Sequence, residues 1–197
     1  MMRKLAAPLA AVLLLAGCLS TPSKRYFQIV PMDKDVQSHP KIGRNLYIEP
    51  VRVDPLYDDF RVIYRVSPYE LKYYSSVFWA KKPDDLFREA LSDYLIRKEG
   101  FSRVMLDVLQ GDPTITLRST VRLIEEIDNP NVWFGRLAMD LEFLDFKSGK
   151  LLVSHSFDRR LPLAARNVKF LPSVLSGIFV EEIDIAVRKL AEALAAQ

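Results

Sequence analysis

Cys18, the single cysteine of this chain, follows Leu15, Ala16 and Gly17. A thiol is the side chain best suited to forming a stable thioether, because the thiolate is a soft, strong nucleophile. Small residues at positions 16 and 17 leave the backbone beside it uncrowded. With Cys18 used in this way, no thiol remains for a disulfide, a thiolate nucleophile or a thiolate metal site. The fold must then hold together by packing alone.

Other groups capable of chemistry are sparse. His39 lies in a polar loop, and His155 alternates with Val153 and Phe157 on a strand. Neither has a carboxylate-rich partner motif, so both read as structural or solvated, and no metal site is predicted. Glu125, Glu126 and Asp128 end a strand beside a turn and read as a solvated strand end rather than as a cation site. The seven glycines are scattered without a phosphate-binding loop, and neither a nucleophile elbow nor an HExxH helix is present. The sequence therefore offers no catalytic residues, and an enzyme is not expected.

The residues before Cys18 explain its setting. Arg3 and Lys4 precede an apolar stretch from Leu5 to Leu15, the length of the core of a secretion signal. It is shorter than the roughly 20 apolar residues needed to span a bilayer. Charge, apolar run, small residues and cysteine in this order resemble the lipobox of bacterial lipoproteins. That resemblance implies a signal peptide over residues 1–17, a diacylglyceryl thioether and N-acyl group on Cys18, and a tether over 18–25. Two or more acyl chains hold a protein stably at a membrane where one does not. In Gram-negative sorting an Asp after the lipidated cysteine commonly retains a lipoprotein in the inner membrane. Leu19 stands there instead, which points to the periplasmic face of the outer membrane.

The remaining chain, 26–197, is long enough for one domain. The formal net charge of +3 includes Arg3 and Lys4, and the other charges are mixed along the chain, so nucleic acid is not an expected partner. Tyr26 to Val30 and Asn45 to Asp54 read as strands, the second disturbed at Pro50, which lacks an N–H. Arg61 to Val66 and Tyr69 to Trp79 follow as strands. Pro83 suits the first turn of a helix, Asp84 and Asp85 favour its positive end, and Gly100 is placed to cap it left-handed.

Beyond Phe101 the period falls to 2. Arg103 to Leu109 reads as a strand, and Ile115, Leu117, Val121 and Leu123 then alternate with polar residues. Val132 to Phe146 and Leu151 to Leu161 flank a hairpin loop at Lys147 to Lys150. From Ser173 to Ala195 an apolar stripe recurs at helical spacing. The expected fold is an α+β single domain: a mostly antiparallel β-sheet with two amphipathic helices packed on one face.

Two aromatic runs are candidate contacts for a partner or lipid. One holds Tyr69, Tyr73, Tyr74, Phe78 and Trp79, and the other Trp133 and Phe134. In each, adjacent aromatics point to opposite faces, as in a strand buried between the core and another layer, or as in a surface patch.

Several stretches then resemble a known family. Arg25-Tyr26-Phe27-Gln28-Ile29-Val30-Pro31 looks like an aromatic-rich opening strand. Ile48-Glu49-Pro50-Val51-Arg52-Val53, then Val62-Ile63-Tyr64-Arg65, look like its two following strands. Glu70-Leu71-Lys72-Tyr73-Tyr74, Trp79-Ala80 and Pro83 leading into Leu86-Phe87-Arg88-Glu89-Ala90-Leu91 are the most specific. Together they resemble the ABC-type transport auxiliary lipoproteins, which include the lipoprotein component of paraquat-inducible, MCE-type systems. Lys81-Lys82 departs from the family pattern. The resemblance implies a non-catalytic docking component of an envelope lipid transport system. Its partners would be MCE-domain and ABC transporter subunits, with a homo-oligomer compatible. The alternative is a structural or assembly lipoprotein of another envelope complex.

Overall fold

The computed structural model describes residues 23–32, 40–130 and 132–196. In chain order the elements are β1 (Arg25–Phe27), β2 (Asn45–Ile48), β3 (Arg52–Val53), β4 (Arg61–Ser67), β5 (Glu70–Trp79), α1 (Pro83–Arg97), β6 (Arg103–Met105), β7 (Ile115–Asn129), β8 (Val132–Asp145), β9 (Leu151–Pro162) and α2 (Leu171–Ala195). Among the described residues all nine strands join one sheet. The chain is an α+β single domain.

The sheet is mixed, which corrects the expectation of a mostly antiparallel one. Antiparallel pairing is confined to the hairpin β4–β5 and the meander β7–β8–β9. β1 runs parallel to β5, β6 to β2, and β2, β3 and β4 each run parallel to β7. Tight turns fix hairpin direction locally, whereas parallel partners are joined by long connections that carry no local signal. β7 organises the whole. One of its edges pairs with β8 along its length. Its other edge takes β2, β3 and β4 in succession, at Leu117, Val121 and Ile127 respectively.

Two irregularities follow from single residues. Glu49, Pro50 and Val51 separate β2 from β3, a break centred on the missing proline N–H. A register shift between Val121 and Leu123 accommodates one extra residue in β7 and reverses the facing of those after it. Leu123 therefore leaves the phase of Val121, and Ile124 takes the buried place.

The helices cover the core. α1 has Pro83 in its first turn with Asp84 and Asp85 beside it. α2 buries Leu175, Phe179, Ile183, Ala186, Val187 and Leu190. The helices meet where Phe87 and Phe179 stand 5.7 Å apart, and the Tyr94 hydroxyl donates to Asp184. Trp79, Tyr94, Phe87, Phe143 and Phe179 are the largest fully buried side chains. Gly135 lets α2 settle on β8, since a Cβ there would lie 2.9 Å from Val174 Cγ1.

The end of α1 departs from expectation. Glu99, rather than Gly100, adopts the left-handed conformation, with φ of 50°. A side chain is strained there and glycine is not. Glu99→Gly is expected to stabilise the domain by about 0.5–1 kcal/mol, measured as a raised urea midpoint. The exposed Lys41–Glu99 pair lost with it, at 3.8 Å, contributes little.

Candidate functional site

Strand register brings parts of the two aromatic runs together. Tyr64 of β4 lies opposite Glu126 of β7, and Trp133 of β8 opposite Asp128. Because β4 and β7 are parallel, the turns that end them lie at the same end of the sheet. There the Tyr64 and Tyr74 rings stand 4.6 Å apart, and the Tyr74 hydroxyl donates to Glu126 Oε2 at 3.1 Å. Trp133 Nε1 donates to Asp128 Oδ1. Arg166, from the connection between β9 and α2, places its guanidinium 4.7 Å from the Trp133 ring centre. It also donates to Asp128 Oδ1 at 3.0 Å. Glu126 and Asp128 alternate on one strand face, so Tyr64, Tyr74, Glu126, Asp128, Trp133 and Arg166 form one aromatic and charged cluster.

Burial holds the Glu126 carboxyl above the usual carboxylate range, against the opposing Tyr74 hydrogen bond, and the charge of Asp128 adds to the rise. The Tyr74 hydroxyl is likewise pushed up, by burial first and then by Glu126. A carboxyl whose folded-state pKa is raised destabilises the fold where it is ionised, and that cost disappears as pH falls through the raised value. Glu126→Gln keeps an acceptor for Tyr74 and removes the buried charge. The variant should melt above the parent at pH 7, and the two melting temperatures should converge as pH is lowered through the carboxylate range.

The opposite face of the same strand end carries a second cluster. Glu125 is 0% exposed. Arg65 of β4 lies 2.9 Å from Oε2 and Arg136 of β8 3.5 Å from Oε1. The hydroxyl of Tyr57, from the connection between β3 and β4, donates to Oε2 at 2.8 Å. Arg136 also pairs with Asp158 of β9 at 2.6 Å. The hydrogen bond to Glu125 holds the Arg65 guanidinium above its usual range, and burial raises the Tyr57 hydroxyl. Glu125 and Glu126 are thus buried on opposite faces, each with its own partners. This corrects the reading of a solvated acidic strand end, because β4 and the connection before it pack over β7 there.

His155 is also buried and fastens β9 to α2. Its Nε2 lies 2.7 Å from Glu182 Oε2, and Lys189 Nζ lies 3.0 Å from its Nδ1. Arg159 pairs with the same Glu182. Among the described residues, no group of three or more His, Cys, Asp or Glu is placed to hold a metal ion. His39 and Cys18 lie outside the described residues.

The candidate aromatics therefore disperse. Tyr74 and Trp133 belong to the cluster above. Tyr73 donates to the Leu56 carbonyl at 3.2 Å and lies under Arg61. Phe134 is half-buried, near the Arg160 guanidinium. Phe78 stacks on Tyr26 at the opposite end of β5, and Trp79 is a core residue, 1% exposed. Arg166 and Tyr64 were not marked by the sequence as site residues. Tyr64 sat in a strand already quoted, but nothing local pointed to Arg166.

The model of the ABC-type transport auxiliary lipoprotein component family matches residues 27–178. The chain belongs to this family. The match covers the sheet from its first strand and reaches into α2, well beyond the stretches in which the resemblance was most specific. Among curated proteins, none matches this sequence. Solved structures share the fold. Protein XCC0632 from Xanthomonas campestris superposes with a TM-score of 0.70 at 13% identity, over 87% of this chain and 98% of that one. An uncharacterized protein superposes with a TM-score of 0.66 at 20% identity, over 85% and 99%. The hypothetical protein CT253 from Chlamydia trachomatis gives 0.52 at 10% identity, over 79% and 99%. Members of the family are auxiliary lipoproteins of ABC-type transport systems, and among the described residues no helix is long and apolar enough to cross a membrane.

Proposed function

We propose that this family member is a membrane-anchored, non-catalytic docking lipoprotein of an MCE-linked, ABC-type envelope lipid transport system. In this reading residues 1–17 are the signal peptide, Cys18 carries the diacylglyceryl and N-acyl groups, and residues 18–25 tether the domain to the periplasmic face of the outer membrane. MCE-domain and ABC transporter subunits are its partners.

The observation that carries the docking role is the cluster around Trp133. A tryptophan ring, a guanidinium stacked on it and two tyrosines are the residue types that dominate binding energy at protein interfaces. Here hydrogen bonds to Asp128 and Glu126 fix the indole, the guanidinium and Tyr74 in place before any partner arrives, which lowers the entropy cost of association. Tyr69, in the β4–β5 turn at the same end, is 99% exposed.

A photo-crosslinking residue introduced at position 69 or 132 in living cells tests this. The expected product is an MCE-domain or transporter subunit, identified by mass spectrometry. Recovery only of subunits from an unrelated envelope complex would replace this reading with that of an assembly lipoprotein.

A further inference from the structure

The end of the sheet opposite the Trp133 cluster carries a different surface. β1 runs parallel to the last three residues of β5, with Tyr26 beside Phe78, so the first strand lies along the C-terminal end of β5. The Tyr26 and Phe78 rings stack with centres 5.8 Å apart, and the Lys24 ammonium lies 5.8 Å from the Phe78 ring centre. Tyr26 is 63% exposed and Phe60, whose carbonyl accepts from the Trp79 N–H, 48% exposed. Arg25 is exposed between Lys24 and Tyr26. The two aromatic rings and the Lys24 ammonium are thus gathered just after the tether, with Arg25 exposed beside them.

We propose that the surface formed by Lys24, Tyr26 and Phe78, with Arg25 exposed at its edge, rests in the headgroup layer of the bilayer that holds Cys18, with anionic phospholipid as its ligand. This rests on the lipidation of Cys18 proposed above. Lys24 lies six positions beyond Cys18, and even fully extended this stretch reaches only about 20 Å. A surface held that close to a bilayer meets headgroups at high effective concentration. Tyrosine, with an apolar ring and a polar tip, partitions to this layer. Lys24 and Arg25 add attraction for lipid phosphates, a term that is stronger on an anionic surface. The ten-residue β5 separates Phe78 from Tyr69 by roughly 30 Å, so the proposed headgroup surface and the proposed docking end lie at opposite ends of one strand.

The test uses the full-length lipidated protein reconstituted into phosphatidylglycerol or phosphatidylcholine vesicles, with and without lipids brominated near the headgroup. Tyr26→Trp places an indole on the proposed surface, Leu19→Trp places one beside the anchor, and the parent supplies the background from Trp79 and Trp133. The indole at 26 is expected to lose at least half its emission to brominated phosphatidylglycerol, and markedly less to the brominated neutral lipid. Adding Lys24→Glu should halve that quenching while leaving the signal at 19 unchanged. Quenching at 19 without quenching at 26 would overturn the headgroup contact and leave the anchor standing. Equal quenching in both lipids, or no effect of Lys24→Glu, would overturn recognition of anionic lipid. No quenching at either position would overturn the anchor, and this inference with it.

Discussion

Replacing Glu125 with alanine is expected to destabilise the domain by about 3 kcal/mol, which for a domain of this size lowers the melting temperature by roughly 10 °C. The carboxylate is fully buried and accepts from Arg65 and Tyr57, with Arg136 close by. Its removal leaves two guanidiniums facing one another without the charge between them, and a buried tyrosine hydroxyl without its acceptor. Breaking one partner out of a buried ion pair typically costs 3–5 kcal/mol. The lower figure applies here because Arg65 and Arg136 are partly exposed and Arg136 retains Asp158. Thermal melts followed by circular dichroism would measure the effect. The double variant Glu125→Leu with Arg65→Met should lose less than the two single variants together, since the second change removes a charge that the first has stranded. A loss below 1 kcal/mol for Glu125→Ala would show that the connection carrying Tyr57 does not depend on this cluster.

Cys18→Ser is expected to leave the domain folded and to release it from the membrane. The serine hydroxyl lacks the thiolate character needed for thioether formation, and without acyl chains the proposed anchor is lost. Membrane-bound protein should fall at least tenfold in fractionated cells, while the circular dichroism of the purified protein stays that of the parent. Cells carrying only the variant should behave as a deletion does, and under the proposed lipid transport role both should become sensitive to detergent. Full complementation by the unanchored protein would mean that the lipid matters less to function than proposed here.

Elements governed by local chemistry were legible in the sequence. Pro83, Asp84 and Asp85 mark the start of α1 because each suits a helix N-terminus by itself. Pro50 interrupts the early strand where its missing N–H forbids a ladder bond. Features decided by distant partners were not legible. No residue in β2, β3 or β4 announces that its neighbour is β7 and that the pairing is parallel. The extra residue near Arg122 preserves the look of alternation while reversing the phase at Leu123. At the candidate site, Tyr74 and Trp133 stood out by residue type. Their grouping depends on Glu126, Asp128 and Arg166 arriving from other elements. The acidic stretch was misread for the same reason, since what buries it is contributed from about sixty residues earlier in the chain.

The arrangement of three short strands along one edge of β7 bears on how the chain acquires its fold. β2, β3 and β4 all precede β7 in the sequence, yet the edge they share does not exist until residues 115–127 are present. A polypeptide delivered N-terminus first would complete the β4–β5 hairpin and α1 while β2 and β3 still lacked their main partner. Long-range pairings of this kind slow folding, and unpaired edges are the surfaces through which chains associate wrongly. The β7–β8–β9 meander, built from adjacent strands with tight turns, is the natural first structure, and the earlier strands then add to its open side. On this topology completion of the sheet is expected to be a late event, and the interval before it is when unpaired edges would be open to neighbouring chains.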